Sequence, residues 1–453
     1  MGTGAGGDEK RGEVMAALSR LKPCNLHVTH SWGGGVDRWV RDFCAHDHHA
    51  ENLVLENIGT PTCYGVGMRL VAGRTGRELG RWLFRQPISE TRVRHAEYRE
   101  VLARVVGDHD VSHIYLSCLV GHSLDIFDLG VPVTKIHHDY YPYCPNIYMF
   151  WGEPCSGGCG EQELALCLRD NPVNFANDKS SAAYWLELRG AYVEALARPY
   201  VRQVCPSVEV VVQLARLDPA LAALAYAVVP HGTSLAKRDS FGGAEEGRRL
   251  RVVVLGMQHI VKGLEILKAA FSQARLIVDL SILGGGLHGR VFASRFGVSY
   301  LENYRHGDLD GLLAAGGFDL ALFASAFAET FCYTLSEVRA HAIPPAARPV
   351  GSFLDRVHDG EDGFMMGPTA DDLVAFLLRA DAQRDRVREV SRRLRALPVR
   401  SVGEMVDDYY RLRGDYPELV ERRLAAAAGD DGRPGTPEPL QRPQVVLTRG
   451  LAR

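Results

Sequence analysis

No stretch of this 453-residue chain holds the roughly 18 consecutive apolar residues that a membrane-spanning helix needs. The opening MGTGAGGDEKRGEV has no apolar signal-peptide core either. A cytoplasmic location is therefore expected, with peripheral attachment to the inner face of the cytoplasmic membrane as its variant. Net charge is slight, −3 at pH 7, which leaves no electrostatic reason to expect a nucleic-acid partner. Lysine is scarce: positions 10, 22, 135, 179, 237, 262 and 268 carry all of it, among 52 basic residues. A lysine inside a motif therefore draws notice. Ten cysteines without a signal peptide argue against a disulfide framework and for thiols or metal.

With 46% hydrophobic and 24% charged residues, the composition is that of a globular protein large enough for two or three cores. Strand-like runs at 25–30, 52–56, 111–115, 132–137 and 201–206 alternate with helical stretches such as 36–44 and 180–198. A second series has strands at 251–256, 275–280, 298–302 and 319–323, with helices at 262–271 and 333–342. Two such series predict two doubly wound α/β domains facing a cleft. The polar, glycine-rich HGTSLAKRDSFGGAEEG between them marks the break. The expected organisation is an N-terminal domain over 1–235, a C-terminal domain over 236–400, a helical segment over 401–425 that crosses back, and a disordered Pro/Gly-rich tail over 426–453.

The chemistry concentrates between Phe323 and Pro368, where Glu329 and Glu337 stand eight positions apart. On one helix that spacing is about 12 Å along the axis, too far for paired glycosidase carboxylates. The alternative puts Glu329 on a loop and Glu337 about two turns into the next helix. The amides of Phe331, Cys332 and Tyr333 then open that helix, where N–H groups and the dipole favour an anion. Upstream, the strand Val252–Leu255 runs into Gly256-Met257-Gln258-His259-Ile260-Val261-Lys262-Gly263. Further upstream, His30-Ser31-Trp32-Gly33-Gly34-Gly35-Val36-Asp37 joins the first strand to the first helix. Glycines there allow backbone N–H groups to approach a phosphate or a substrate oxygen.

These segments resemble those of the retaining glycosyltransferases of family 4. That family carries acid–x–Phe–Gly with a second Glu eight residues on, a Gly-Arg-x(4)-Lys-Gly loop and an N-terminal GG-x-E/D loop. The turn GSFLDRVHDGEDGF is similar to the family's glycine turn and DGxxGF tail. The resemblance implies a GT-B fold and transfer of a hexose from a nucleotide-diphosphate sugar to a hydroxyl of a saccharide or lipid-linked saccharide, with retention. Bacterial surface-polysaccharide synthesis is the implied setting, and no cofactor or divalent metal is required. It gives catalytic roles to His138, Lys262 and Glu329. Donor contacts fall to Gly34, Gly35, Lys262, Glu329, Phe331, Cys332, Tyr333 and Glu337, with Glu337 on the ribose. His138 is carried over from the segment His137-His138-Asp139…Cys144-Pro145. Two departures stand out: Met257 replaces the usual arginine, with His259 or Arg290 as substitute cations, and Cys332 replaces glycine. They keep open a catalytically impaired sugar-nucleotide binder, beside a phosphorylase- or synthase-like GT-B enzyme.

Two further features carry expectations. Cys144, Cys155, Cys159 and Cys167 lie close in sequence and offer four thiolates to a structural zinc, although the spacing lacks C-x(2)-C pairs. Arginines 69, 74, 77, 81 and 85 recur at helical spacing beside Trp82 and Phe84, as a basic helix on an anionic membrane surface would. The run His46-Asp47-His48-His49 is expected to cap the first helix at the surface.

Overall fold

The computed structural model describes residues 22–60, 65–155, 157–173, 180–275 and 277–414. The expected tail, and the crossing segment beyond Gly414, lie outside the described residues. Two sheets organise the chain. The first has the order β10-β9-β6-β5-β1-β2-β3-β4 and the second β13-β12-β11-β14-β15-β16. In the first, β1 (Cys24–His30), β2 (Glu51–Asn57), β5 (Val111–Leu116), β6 (Val133–Ile136), β9 (Val201–Cys205) and β10 (Tyr226–Val228) run parallel. A short separate hairpin, β7 (Phe150–Trp151) and β8 (Glu153–Pro154), interrupts the series. The second sheet is parallel throughout: β11 (Leu250–Leu255), β12 (Val278–Leu283), β13 (Ser299–Leu301), β14 (Leu320–Phe323), β15 (Pro345–Ala347) and β16 (Phe364–Met365). This is the doubly wound pair that alternating strand and helix patterns predict.

Helices cover both faces of these sheets, so their strands are buried along most of their length. β1 is buried at all seven positions although Asn25, His27, Thr29 and His30 are polar. Helix α1 (Gly34–His46) turns Trp39, Val40, Phe43 and Cys44 toward that sheet. In the second half, helix α2 (Leu264–Ala274) packs beside β11 and helix α3 (Tyr333–Ala340) follows β14. After β16 the chain returns, and helix α4 (Val402–Arg413) buries Met405, Val406, Tyr409 and Tyr410 against α1. Asp47 anchors it: its Oδ2 accepts from Tyr410 Oη at 2.8 Å, Asn52 Nδ2 at 2.9 Å and Asn25 Nδ2 at 3.2 Å. Asp47 is thus a buried joint at the end of α1, not the surface cap expected from the sequence.

The arginine-rich segment is also different from its expectation. Residues 67–83 form β3 (Gly67–Ala72) and β4 (Glu78–Leu83), an antiparallel hairpin on the edge of the first sheet, not a helix. Met68, Leu70 and Val71 are buried where β3 pairs with β2, and this pairing overrides the helical spacing of the arginines. Arg69 pairs with Glu56 and Arg81 with Glu78. The basic helix proposed for a membrane surface does not exist here. Among the described residues no helix is long and apolar enough to cross a membrane.

Several imidazoles in the first domain resist protonation, His113 and His138 among them. Burial pushes His27, His30 and His122 down to about 4 and His137 to about 3. Because these folded-state values lie below the unfolded one near 6.5, the unfolded chain binds the extra protons. Their stabilising effect is complete above pH 6.5 and is lost as pH falls toward 4. Each histidine then costs about 1.4 kcal/mol per pH unit in that window. Chemical unfolding between pH 7 and 5 should therefore show a steep loss of stability, with an uptake of several protons on unfolding. A stability that stays flat over this range would contradict the neutral assignment.

Candidate active site

The carboxyl ends of the parallel strands in both sheets face one another across a cleft of about 710 Å³. Crevices at this end of open α/β sheets are where such folds bind ligands. All nine residues singled out from the sequence line it: Gly34, Gly35, His138, Lys262, Glu329, Phe331, Cys332, Tyr333 and Glu337.

Lys262 ends a 3-10 turn (Ile260–Lys262) between β11 and α2. Its position is fixed by Gly263, whose φ of 83° favours glycine and whose missing Cβ would fall 1.8 Å from the Ala324 carbonyl oxygen. Lys262 Nζ donates to Glu329 Oε1 at 2.5 Å and lies 4.9 Å from the centre of the Phe327 ring. Ser325 Oγ donates to the same carboxylate oxygen at 2.6 Å. The Glu329 backbone is pinned by Gly351 (φ 57°), where a Cβ would sit 2.4 Å from the Glu329 nitrogen. Burial works against the lysine's charge, but the adjacent Glu329 carboxylate outweighs it and raises the pKa. Lys262 is therefore a fixed cation, partly open to the cleft.

Cys332 occupies the N-cap of α3 at φ 65°, the left-handed region that a glycine adopts without strain. No side chain caps this helix start, nor that of α1 at Gly33 or of α2 at Gly263. Helices 370–382 and 402–413, by contrast, carry capping boxes at Thr369 and Ser401. At α2 the first amides are taken by the preceding turn, Leu264 N donating to the His259 carbonyl at 3.3 Å, so it is the starts of α1 and α3 that leave N–H groups available to an anion. Glu337 lies about one turn into α3, nearer its start than the two turns expected.

Glu337 does not face empty space. Arg38 of α1 pairs with it, and His306 Nδ1 lies 3.6 Å from the same oxygen. The Arg38 guanidinium also sits 4.4 Å over the Tyr333 ring, so this one side chain joins the two halves of the cleft. Burial disfavours its charge, but Glu337 more than compensates and raises its pKa. Sequence reasoning passed over Arg38 for Asp37, the acid next to it in the glycine loop. Asp37 turns away to pair with Arg41. The missed signal was helical phase: Arg38 and Asp42 share a face one turn into α1.

His138 is half-buried at the floor of the cleft, and Thr330 Oγ1 donates to its carbonyl at 2.7 Å. Its ring packs 5.3 Å from Trp39 and 5.1 Å from His231, and its Nε2 has no partner among the described residues. Burial, then the neighbouring His231, holds it well below the usual histidine range, so it is a neutral imidazole. His231, also neutral and also missed in the sequence, stacks on Tyr333 at 5.4 Å.

Two expectations need correction. Among the described residues no group of three or more His, Cys, Asp and Glu is placed to hold a metal. The proposed zinc set is therefore not assembled. Cys159 Sγ accepts from Arg189 Nη2 at 3.7 Å, Cys167 Sγ from Asn171 Nδ2 at 3.4 Å, and burial raises Cys144 to about 12 and Cys155 to about 11. Cys167 lies on the helix Glu161–Asp170 and the other three in the segment before it. The substitute cations for Met257 fail as well. Arg290 pairs with Glu302 at 3.1 Å and His259 packs against His288 at 5.8 Å, and neither lines the cleft. Met257 itself is exposed on the rim. Arg38 is the cation that the cleft holds beside Lys262.

No family model matches the sequence, and no curated protein sequence matches it. Solved structures do. A glycosyltransferase from Rickettsia africae superposes with a TM-score of 0.57 at 12% identity, covering 88% of this chain and 99% of its own. A sucrose-phosphate synthase from Thermosynechococcus elongatus gives 0.55 at 16%, covering 90% and 100%. Anabaena HepE, solved in complex with UDP-glucose, gives 0.53 at 15%, covering 89% and 99%. This chain has the same fold, GT-B, with two Rossmann-like domains.

The strained N-cap yields a test. Cys332→Gly should leave the melting temperature unchanged or raise it, because it removes a left-handed non-glycine residue. Cys332→Val should lower stability by about 1–3 kcal/mol, since a β-branched residue fits that region worst. Calorimetry on the two variants checks this, and an equal cost for both would show that φ strain is not what matters at this position.

Proposed function

We propose that the protein is a retaining glycosyltransferase that moves a hexose from a nucleotide-diphosphate sugar to a hydroxyl of a free or lipid-linked saccharide. The observation that carries this reading is the Lys262–Glu329 pair at the open, uncapped start of α3, with Glu337 one turn further in. The bound UDP-glucose in the HepE structure gives the donor class a precedent on this fold.

On this reading residues 236–400 hold the donor and residues 1–235 the acceptor. The diphosphate lies between Lys262 and the amides of Phe331 to Tyr333. Lys262 stabilises the charge that grows on the leaving phosphate oxygen as the glycosidic bond lengthens. Glu329, fixed by Ser325 and by Gly351, accepts hydrogen bonds from the sugar hydroxyls. Glu337 accepts from the ribose while remaining paired with Arg38. Neutral His138 offers its unpartnered Nε2 to the sugar from the opposite domain. The acceptor hydroxyl attacks on the face from which the leaving group departs, which retains the anomeric configuration. The hydroxyl's proton passes to the departing phosphate. A non-catalytic sugar-nucleotide binder is the second reading, favoured by the strain at Cys332 and by Met257 on the rim. Turnover of labelled donors separates the two.

Lys262→Ala should lower turnover by two or more orders of magnitude, the usual cost of removing one charge-stabilising donor, with little change in nucleoside binding. Glu337→Ala should weaken UDP or GDP binding by about 1.5–3 kcal/mol, while Glu329→Ala should reduce turnover more than nucleotide affinity. Isothermal calorimetry and a radiolabelled donor assay measure both quantities. A Lys262→Ala protein with nearly full activity would place the diphosphate elsewhere.

A further inference from the structure

Behind the cleft lies a second cavity of about 190 Å³, bounded by both connections between the two halves of the molecule. Pro230, His231 and Thr233 of the outgoing connection form one side and Leu397 to Arg400 of the returning one the other. The two strands of chain touch there, with Thr233 N donating to the Arg400 carbonyl at 3.0 Å. Helix α3 supplies Ser336, Arg339 and Ala340, and Arg356 closes the end. His231 and Phe331 line this cavity and the cleft alike, so they form the wall between them.

The charge of this cavity is one-sided. Arg339, Arg356 and Arg400 line it, and no Asp or Glu does. Arg339 pairs with Asp362 at 2.7 Å and Arg400 with Asp408, both carboxylates lying outside the lining. Arg356 has no carboxylate partner among the described residues. Its Nη1 donates to the Cys332 carbonyl at 3.2 Å, its Nη2 to Ser336 Oγ at 2.8 Å, and its plane lies 3.6 Å over Phe331. A guanidinium has five N–H donors, so each of the three keeps donors in reserve. The Thr233 and Ser336 hydroxyls and the unpartnered Nδ1 of buried His231 add neutral polar groups.

We propose that this cavity is a binding site for a tetrahedral oxyanion of the phosphate class, distinct from the donor cleft. Three hydrogen-bonded guanidiniums on one small cavity offer paired N–H donors suited to such an ion, and the ion supplies a negative partner for Arg356. Burial, with the nearby Arg339 charge adding to it, holds Arg356 down to about 10, in keeping with a cation that has no carboxylate paired to it. The bound ion would join the two connections to α3 and to the Cys332 turn.

Calorimetric titration of the full chain with inorganic phosphate tests this, with sulfate, chloride and glycerol 3-phosphate as parallel arms. Saturable phosphate binding is expected in the wild type and, at unchanged affinity, in Lys262→Ala. Chloride should not compete. Arg356→Gln and Arg400→Gln should each lose at least tenfold in affinity; should Arg356→Gln not fold, Arg400→Gln decides. Tighter binding of glycerol 3-phosphate than of phosphate would support the site and identify an ester as its source, and the reverse would support it with the free ion. No saturable phosphate binding, or binding that Lys262→Ala abolishes and Arg400→Gln retains, would overturn the proposal.

Discussion

Two ion pairs, Lys262–Glu329 and Arg38–Glu337, set the character of the cleft. A charge taken out of water is costly unless it is matched by another close by. Both cations face carboxylates presented by the segment that follows β14, so the cleft stays nearly neutral before any ligand enters. The surrounding design serves those contacts. Gly263 and Gly351 bring backbone so close to Ala324 and Glu329 that no side chain could replace them, and each immobilises one partner of the first pair. A weak ion pair on flexible stems would contribute little; held in this way it gives Lys262 a permanent positive charge and one location.

The second pair differs because its members come from opposite halves of the molecule. Arg38 belongs to α1 over the first sheet and Glu337 to α3 over the second. The C-terminal return has the same effect from the other side: α4 leaves the second half and buries Tyr409 and Tyr410 against α1. Asp47 then accepts three hydrogen bonds that tie β1, β2 and α4 together. The buried Asn25 and Asn52 amides need that carboxylate, since unpaired donors in this core would each carry a desolvation penalty. The relation between the halves therefore rests on an aromatic, buried contact as well as on a charged one at the cleft.

Much of this was legible in the sequence because it is written in local patterns. Alternating strand and helix periods specify the two sheets, and the position of each glycine-rich turn marks a carboxyl strand end. All nine candidate residues line one cleft for that reason: each follows a parallel strand, and parallel strands end on the same side. What was not legible depends on direction or on long-range partners. The spacing of arginines 69 to 85 suits a helix, yet pairing of the apolar residues 68–72 with β2 makes it a hairpin. Arg38 and His231 carry no motif and gain importance only when a residue about a hundred or more positions away packs against them. Proximity in sequence misled for the cysteines, whose segment brings thiols near one another without turning them toward a common point.

On the proposed reading, the Arg38–Glu337 pair also constrains how a nucleotide can enter. A carboxylate has about four acceptor positions, so one guanidinium does not exhaust it, and ribose hydroxyls can share Glu337 without expelling Arg38. Sharing is the less costly route. Expulsion would leave a guanidinium buried against Tyr333 with only Asp42 and His306 nearby. A shared carboxylate instead makes the ribose a third member of a contact that already spans both domains. Donor binding then reinforces the contact between the halves, because the nucleotide adds its interactions to the face of α3 that Arg38 already holds. The acceptor half is consequently in position when the donor arrives, as a transfer that must exclude water requires.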